Sequence, residues 1–574
     1  MFVTGNPVSG GYALGRAFVH VPFSPVIDRT PLQPGAEEAA AEAFFAARTV
    51  AVNELAAIQA RMQSENPAQA AIFEAHREIA NDIGAEEEIL FRIREERMPP
   101  SQAVEEAFDM LTELLAGVDD PLIRERVSDM RDVKLRLLRC IEGLPERDLS
   151  RLEEPVIIVA HDLFPSDTAT LDKALILAIV TEVGGSTCHT AIIARSFEIP
   201  AVLGVPGALQ SIRHGDLVAV DAIKGVIHLE PSPDEQAQTL ALRESHQREA
   251  EETKRYLQYE TKLADGTKIE VELNIGSAEE QELKASAYTD GVGLFRTEFL
   301  FMGRNTLPSE EEQFHAYKRV LERFGERPVT IRTLDVGGDK QPECIPIPAE
   351  ANPFMGNRAL RLCFERPELL HTQLRACLRA GVYGNLWLMF PMVGSMDDIR
   401  RAKAAMKKAQ EELETEGTPY TKTLKIGIMI EIPSIALLAH AVAQEVDFAS
   451  IGTNDLTQYT LAVDRMNPAV AEYYQSYHPA LFQLIGSVAK NFAAANKPLA
   501  VCGELGGDKL AAAVLIGMGI RRLSMGKASV APLKRMLSGL TLNRAEEAYR
   551  YTLTCSTADE VERYLKNEIG TIGA

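Results

Sequence analysis

The sequence predicts a multidomain α/β protein: an α/β domain carrying an inserted helical bundle, a linker helix, and a C-terminal (β/α)₈ (TIM) barrel. Three observations support this fold class. A long stretch with helical periodicity interrupts β-rich sequence, a highly charged segment with a helix-start signal follows, and strand-like and helix-like segments then alternate about eight times. The length of 574 residues suits two to four domains.

The α/β domain is predicted to combine residues 1–20 with residues 145–230. Residues 1–20 are apolar and glycine-rich, which predicts short strands that complete a later sheet. The later strand-like segments are Pro155–Ala160, Leu175–Val180, Ala201–Leu203, Asp216–Val220 and Gly225–Leu229. Residues 21–144 between them are rich in Ala, Glu, Arg and Leu at helical spacing, so we predict an inserted helical bundle. Its helices should break near Asn66-Pro67, Pro99-Pro100 and Asp119-Asp120-Pro121.

The linker helix is predicted over residues 231–260. It starts at Ser232-Pro233-Asp234-Glu235, which has the pattern of a capping box with proline at the first helical position. The helix is charged throughout, as expected of a solvated connection. The barrel should occupy residues 261–574. Its candidate strands are Ile269–Leu273, Val292–Phe295, Val329–Thr333, Leu386–Met392, Ile426–Ile430, Phe448–Ile451, Leu499–Cys502 and Arg522–Met525.

Composition excludes several classes of protein. Hydrophobic residues make up 46% and charged residues 25%, which is ordinary for globular proteins, and no apolar run is long enough to span a bilayer. We see no signal peptide, and the seven cysteines are scattered without a CxxC pair, so we expect reduced thiols and a cytoplasmic location. A net charge of −22 argues against nucleic acid as a partner and permits a basic protein partner.

His189 lies in the segment Gly184-Gly185-Ser186-Thr187-Cys188-His189-Thr190-Ala191-Ile192-Ile193-Ala194-Arg195, between an apolar strand and a segment with helical spacing. It should therefore stand at a helix N-terminus, where free N–H groups and the helix dipole favour a phosphate. There an imidazole can attack a phosphoryl group and carry it. A lone histidine would more often be a packed residue beside a glycine turn. The whole segment, however, resembles the phosphohistidine signature of the phosphoenolpyruvate-utilising enzymes.

Charged side chains follow several predicted barrel strands, where the active sites of such barrels lie. Each alone is as well explained by a surface ion pair or a turn. Together, four arginines give the barrel mouth a positive potential, and guanidinium groups match the paired oxygens of phosphates and carboxylates. These arginines are Arg296, Arg332, Arg358 and Arg465. Glu431 and Asp455 offer two carboxylates, a usual protein contribution to a Mg²⁺ site.

These motifs make the chain resemble the enzyme I family of phosphoenolpyruvate-protein phosphotransferases, from the bacterial sugar phosphotransferase system. The resemblance covers essentially the whole chain. It includes the His189 segment, Gly291-Val292-Gly293-Leu294-Phe295-Arg296-Thr297-Glu298, and Gly452-Thr453-Asn454-Asp455-Leu456-Thr457-Gln458-Tyr459. Met355 is a mild departure, because the family motif there reads Asn-Pro-x-Leu-Gly-x-Arg.

The resemblance implies a function and a mechanism. Phosphoenolpyruvate would bind at the barrel mouth to the four arginines, Asn454 and Asp455, with Mg²⁺ on Glu431 and Asp455. His189, in a swivelling phosphohistidine domain, would attack the phosphorus. The family's proton donor to the leaving enolate corresponds to Cys502, whose pKa we expect nearby arginines to lower from about 8.5. The phosphoryl group would then pass to a histidine of the phosphocarrier protein HPr, the first step of sugar uptake, and the barrel would form a homodimer.

The HPr dock is expected on the helical insertion. Acidic residues surround an apolar helical stripe there: Glu74, Glu78, Asp82 and Glu86-Glu87-Glu88 around Ile72, Phe73, His76, Ile79 and Ile83. The stripe can equally be a core face with a solvated acidic side. One histidine cannot reach both partners without domain motion, so we expect hinges near residues 230 and 260.

Alternative functions remain at this point. Pyruvate-phosphate dikinases and phosphoenolpyruvate synthases share the histidine domain and barrel, but they need an ATP-binding domain for which this length leaves no room. A non-enzymatic scaffold that binds an acidic metabolite is opposed by the joint presence of His189, Glu431, Asp455 and Cys502. A sugar-uptake role and a regulatory nitrogen-type role both stay open.

Overall fold

A computed structural model describes the chain from residue 2 to residue 572, except residues 21–24, 26, 66, 117–120, 145–148, 150, 151, 153, 164–166, 168–171, 186, 187 and 339. The chain forms two compact units, Met1–Glu249 and Ala250–Ala574. All seven cysteines are free thiols, as the sequence predicts. Within the described ranges, no helix is both long and apolar enough to cross a membrane.

The first unit contains an eight-stranded sheet in the order β1-β8-β7-β3-β4-β5-β6-β2. Its strands are β1 Phe2–Thr4, β2 Asn6–Ser9, β3 Tyr12–His20, β4 Val156–Ala160, β5 Ile176–Thr181, β6 Ala201–Leu203, β7 Leu217–Asp221 and β8 Val226–Leu229. β3 pairs with β4 in parallel although most of the helical stretch separates them in sequence. Alternate residues of β4 bury on opposite faces, Ile157 and Val159 on one and Val156 and Ile158 on the other. The helical stretch is therefore an insertion between paired strands.

The described part of the insertion contains five long helices, Glu37–Glu65, Pro67–Ala80, Ile83–Arg94, Pro100–Ala116 and Pro121–Ile141. Three of them begin at the predicted prolines, which lack the N–H that a helix interior needs. The break after Ala80 was not predicted. It is stabilised by Asp82, whose carboxylate accepts a hydrogen bond from the backbone N–H of Ala85 at 2.8 Å and caps the next helix.

A 23-residue helix, Pro233–Arg255, follows β8 and has no buried residue. Its predicted capping box is present, because the Ser232 backbone N–H donates to the Glu235 carboxylate at 2.8 Å and the Glu235 N–H donates to the Ser232 hydroxyl at 3.4 Å. Shorter helices of the first unit are His189–Ser196 and Ala208–Ser211.

The second unit contains the predicted closed barrel of eight parallel strands, which pair in chain order from β9 to β16 and close between β16 and β9. The strands are β9 Glu270–Ile275, β10 Val292–Arg296, β11 Pro328–Arg332, β12 Asn385–Phe390, β13 Lys425–Ile430, β14 Phe448–Ile451, β15 Leu499–Val501 and β16 Arg522–Met525. The helices between and after them are Glu280–Leu283, Glu310–Phe324, Leu360–Glu365, Pro367–Ala380, Met396–Glu416, Pro433–Leu437, Ala439–Glu445, Thr453–Leu461, Pro479–Ala494, Lys509–Gly517, Lys527–Gly539, Leu542–Thr552 and Ala558–Glu568.

The barrel interior holds a small apolar cluster that includes Trp387, Met429, Phe448 and Cys502. The chain has one tryptophan. The Trp387 ring has the Lys425 ammonium 4.2 Å from its centroid and the Arg522 guanidinium at 4.4 Å, close enough for cation–π attraction. Arg522 in turn pairs with Glu272.

Candidate active site at the barrel mouth

The predicted site residues of the barrel lie at or shortly after the ends of five of its strands, β10, β11, β13, β14 and β15. Arg296 and Arg332 are the last residues of β10 and β11, Glu431 directly follows β13, and Cys502 directly follows β15. Asp455 lies in the first turn of helix Thr453–Leu461, directly after β14. Because all eight strands are parallel, their carboxyl ends meet at one mouth, which explains why residues so far apart in sequence share a site.

Arg332 is buried among acidic side chains. Its guanidinium lies 2.6 Å from the Glu298 carboxylate and 3.0 Å from the Asp335 carboxylate. The Lys340 ammonium bridges the same two acids at 2.7 Å and 3.2 Å. Burial alone would lower the pKa of Arg332, but Glu298, Asp335 and Glu431 raise it further than burial lowers it, so the guanidinium keeps its proton.

Arg358 is fully buried and connects two parts of the mouth. It donates to Asp335 at 3.0 Å, to Asp455 at 3.1 Å and to the Tyr459 hydroxyl at 3.3 Å. Arg465 lies on the other side of the same acid, 3.4 Å from the Asp455 carboxylate. Asp455 therefore lies between two of the predicted arginines. A charged ligand placed beside Asp455 would act on both Arg358 and Arg465.

Arg296 and Asn454 each have a polar group with no hydrogen-bond or ion-pair partner among the described residues. Arg296 is half-buried, and no described residue makes a hydrogen bond or ion pair with its guanidinium. The Asn454 side-chain oxygen accepts from the Glu504 backbone N–H at 3.0 Å. Its amide NH₂, a donor, has no protein partner within the described ranges.

Glu431 has the environment expected of a cation ligand. One carboxylate oxygen accepts from the Met392 backbone N–H at 2.6 Å, and the other is buried without a hydrogen-bond partner among the described residues. Burial, together with the Asp455 and Asp335 carboxylates, raises the pKa of Glu431 to about 8. A cation here would relieve that repulsion. Among the described residues, no three His, Cys, Asp or Glu side chains are grouped so that they could hold a metal ion. Glu431 and Asp455 are the two carboxylates that could contribute to a Mg²⁺ site here.

Cys502 differs from the expectation for its pKa. The thiol is buried inside the barrel, with its sulfur 3.7 Å from the Ile451 carbonyl oxygen. We expected nearby arginines to lower its pKa, but burial raises the pKa to about 11, because a thiolate loses its solvation there. The thiol is therefore protonated at neutral pH.

His189 is the first residue of helix His189–Ser196, as predicted, and Cys188 precedes it as the N-cap without a side-chain capping bond. Gly184, at the start of the turn, has φ +114°, a conformation that L side chains rarely adopt. Ser186, Thr187 and the side chain of His189 lie outside the described parts of the chain.

The apolar stripe expected to form the HPr dock is mainly core. Phe73 and His76 are buried, and His76 lies 3.2 Å from the Asp129 carboxylate. The side chain of Ile72 is not among those that the structure describes. Ile83 is exposed but begins the next helix, so the stripe does not continue along one helix, and the core interpretation of Phe73 and His76 is confirmed.

Sequence reasoning missed Lys340 and the backbone of Met392. Lys340 follows Gly337 and Gly338, both with positive φ, and a Cβ on Gly337 would lie 2.4 Å from that of Arg358. That glycine pair was an available signal for a tight loop at the mouth. Met392 has φ +53°, which directs its N–H toward Glu431, and nothing in its residue type indicates this.

Three family descriptions match the chain. They are the N-terminal part (residues 4–126), the mobile domain (residues 152–225) and the phosphoenolpyruvate-binding domain (residues 250–542) of the phosphoenolpyruvate-utilising enzymes. The last match alone spans about half of the chain.

Characterised relatives resemble the chain over nearly its full length. The phosphoenolpyruvate-protein phosphotransferase of Geobacillus stearothermophilus is 39% identical over 98% of this chain and 97% of its own. That of Haemophilus influenzae is 38% identical over 98% of both chains. An NMR solution structure of an Enzyme I protein is 33% identical over 43% of this chain and 99% of its own, with a TM-score of 0.39.

Proposed function

Because the chain belongs to the phosphoenolpyruvate-protein phosphotransferases, enzymes of the phosphoenolpyruvate-utilising family, we propose that it transfers the phosphoryl group of phosphoenolpyruvate to its own His189. Pyruvate is released, and the phosphoryl group passes on to a histidine of HPr, the first step of sugar uptake by the phosphotransferase system. The observation that carries the proposal is the barrel mouth, where arginines and Glu431, a buried carboxylate with one oxygen unpartnered among the described residues, gather at and after the ends of four strands.

The substrate has two anionic groups, and the mouth offers matching donors. We propose that Arg296, Arg332 and Arg465 bind the phosphate and carboxylate oxygens, since a planar guanidinium pairs with two oxygens at once. Arg358 belongs to the same binding set and also holds Asp455 in place through their 3.1 Å contact. The Asn454 amide NH₂ donates to the substrate and orients it.

Glu431 and Asp455 would hold Mg²⁺, and the unpartnered oxygen of Glu431 supports that assignment. When bound, the ion would supply positive charge next to the substrate oxygens. Glu431 is fixed for this role by the Met392 N–H, and Asp455 by Arg358 and Arg465.

The chemistry then needs a nucleophile and an acid. A nitrogen of His189 forms a bond to phosphorus while the bond from phosphorus to the enolate oxygen breaks, a step that depends on positioning and on charge neutralisation. The electron pair remains on the enolate, whose methylene carbon takes a proton from Cys502. Burial supports this role of the thiol, since the raised pKa keeps the proton available.

We propose that HPr docks on the exposed acidic side of the insertion. Glu74 and Glu78 are exposed on helix Pro67–Ala80, whereas Phe73 belongs to the core beneath them. An acidic face steers a basic partner and raises its association rate. We also propose that the enzyme is cytoplasmic and forms a homodimer through the barrel unit.

The decisive experiment is incubation with ³²P-labelled phosphoenolpyruvate and Mg²⁺ in the absence of ATP. We expect acid-labile label on the wild type, which then passes to HPr, and no label on His189→Ala. Label that persists in His189→Ala would overturn the nucleophile. A panel of HPr-like carriers separates the sugar-uptake branch from the nitrogen-type branch, and reversal of Glu74 and Glu78 to lysine should slow only the carrier step.

A further inference from the structure

The segment between helices Thr453–Leu461 and Pro479–Ala494 carries three tyrosines with different environments. Tyr473 ends the short 3₁₀ helix Pro468–Tyr473 and is 60% exposed. Tyr477 donates to the Asp508 carboxylate at 2.7 Å, and Asp508 caps the helix Lys509–Gly517 through the Ala511 N–H. The segment is therefore anchored to the barrel unit beyond Tyr474.

Tyr474 contacts two residues of the proposed substrate site. Its hydroxyl donates to the backbone carbonyl of Asn454 at 3.2 Å and lies beside the guanidinium of Arg465, whose charge acts to lower the pKa of the hydroxyl. Burial raises the pKa of Tyr474 to about 12, so the hydroxyl keeps its proton and remains a donor at neutral pH.

Asn454 and Arg465 also have contacts with other groups. The Asn454 side chain accepts from the Glu504 N–H at 3.0 Å. The Arg465 guanidinium lies 3.4 Å from Asp455 and 5.6 Å from the centre of the Phe354 ring, and its backbone N–H donates to Gln458 at 3.1 Å. These contacts fix each residue separately, whereas the Tyr474 hydroxyl joins the two.

We infer that Tyr474 is a positioning residue: its hydroxyl, through the Asn454 backbone carbonyl, sets the spacing between Asn454 and the Arg465 guanidinium and so tunes how the barrel binds phosphoenolpyruvate. The inference rests on the proposed function. A shift of about 1 Å in one binding group is enough to reduce turnover strongly, because substrate orientation supplies much of the rate.

The test compares Tyr474→Phe with Tyr473→Phe, the same chemical change at the neighbouring position. Tyr474→Phe should lower kcat/KM for phosphoenolpyruvate by about tenfold, the effect of one lost hydrogen bond that bridges two groups, while Tyr473→Phe stays within about twofold of the wild type. Equal kcat/KM in the two variants would overturn the inference. Transfer of phosphate from phosphorylated HPr back to His189 should be unchanged in both variants.

A double-mutant cycle with Arg465→Lys separates positioning from general destabilisation. If Tyr474 acts through Arg465, Tyr474→Phe should cost much less in the Arg465→Lys background than in the wild type. Strict additivity of the two losses, or a Tyr474→Phe loss that is explained by a lower melting temperature, would overturn the inference. Failure of the proposed function looks different, since the wild type itself would then take no label from phosphoenolpyruvate.

Discussion

Lys340 compensates two acids that are almost completely buried, Glu298 and Asp335, each with a side chain only 1% exposed. Replacement by methionine keeps most of the packing but removes the cation. We expect Lys340→Met to reduce the free energy of unfolding by about 1–3 kcal/mol, because two buried carboxylates lose a charged partner. Thermal unfolding measures this, with Lys407→Met, a change at a 75% exposed lysine, as the control. Equal melting temperatures for the two variants would contradict the assignment.

Cys502 should act as an acid across an unusually wide pH range. Since its pKa is about 11, pyruvate release should show no loss from thiol ionisation between about pH 8 and pH 10. The folded protein holds this proton more tightly than the unfolded chain, whose thiol has an ordinary pKa of about 8.5. The stability that this group contributes is therefore present below that pH and is lost as the pH rises toward about 11.

The proton-donor role of Cys502 is tested by Cys502→Ser, because a hydroxyl is a far weaker acid than a thiol. We expect pyruvate release to slow by about 10²-fold, the usual contribution of a general acid. Cys377→Ser, at another buried thiol in helix Pro367–Ala380, controls for the cost of burying a hydroxyl. A similar loss of activity in both variants would point to stability instead of proton transfer.

At the residue scale, the sequence locates groups that directly follow strands and not those that come from loops. Arg296, Arg332 and Glu431 were predictable because a parallel barrel gathers its strand ends. The position of Lys340 depends on how the loop after β11 folds back, and Met392 acts through its backbone N–H. The raised pKa of Cys502 was not predictable either, since burial is a property of the packed barrel.

Gly452, directly after β14, leaves room for the carboxylate of Glu431, the proposed Mg²⁺ ligand. A Cβ at this position would lie 2.7 Å from the unpartnered oxygen of Glu431, closer than real Cβ contacts allow, so Glu431 would have to move. We expect Gly452→Ala to weaken the apparent affinity for Mg²⁺ in phosphoenzyme formation by at least about tenfold. Exchange of phosphate between His189 and HPr should remain normal.

Gly526, directly after β16, provides the matched control. A Cβ there meets nothing within 4 Å, so Gly526→Ala should leave the Mg²⁺ dependence unchanged. Titration of phosphoenzyme formation with Mg²⁺ in both variants measures the difference. If Gly452→Ala has wild-type Mg²⁺ dependence, Glu431 is not the ligand.

At the scale of helices and strands, the sequence predicted those helix starts that depend on residues within one turn of the start. Prolines predicted three helix starts and Ser232 predicted a fourth, because the missing N–H and the capping oxygen act within one turn. The break before Ile83 was missed because aspartate also occurs inside helices. The sequence left the apolar stripe open between core and dock for a different reason, since Phe73 has the same helical spacing on a buried face as on an exposed one.

The two compact units provide a prediction about fragments. The barrel should fold alone, but its stability should depend on where the fragment starts. The Lys534 ammonium donates to the backbone carbonyls of Leu257 at 3.2 Å, Tyr259 at 3.1 Å and Tyr288 at 2.7 Å. A fragment of residues 261–574 loses the first two acceptors, whereas residues 250–574 keep all three.

We therefore expect the shorter fragment to unfold cooperatively and to bind phosphoenolpyruvate, with a free energy of unfolding about 1–3 kcal/mol lower than that of the longer one. Urea unfolding of both fragments measures this. A shorter fragment that does not fold would contradict the predicted boundary at residue 261. Equal stability of the two would contradict the role given to Lys534.

At the scale of the whole molecule, the fold class followed from the order of segment types, because βα alternation and an interrupted sheet leave few topologies. The closure of β16 on β9 is a long-range event that no local window of sequence contains. The strand count and the short spacing between strands nevertheless predicted it, since an open sheet of eight parallel strands would leave two unpaired edges.

The chain's one indole, at Trp387, lies in the barrel with two cations, Lys425 and Arg522, close to its ring. Its fluorescence therefore reports only on the unit that begins at Ala250, because the first unit has no tryptophan. Far-ultraviolet circular dichroism follows the helices of both units. The separation between the fluorescence and dichroism melting curves thus gives, without any label, a direct measure of how independently the two halves of the enzyme unfold.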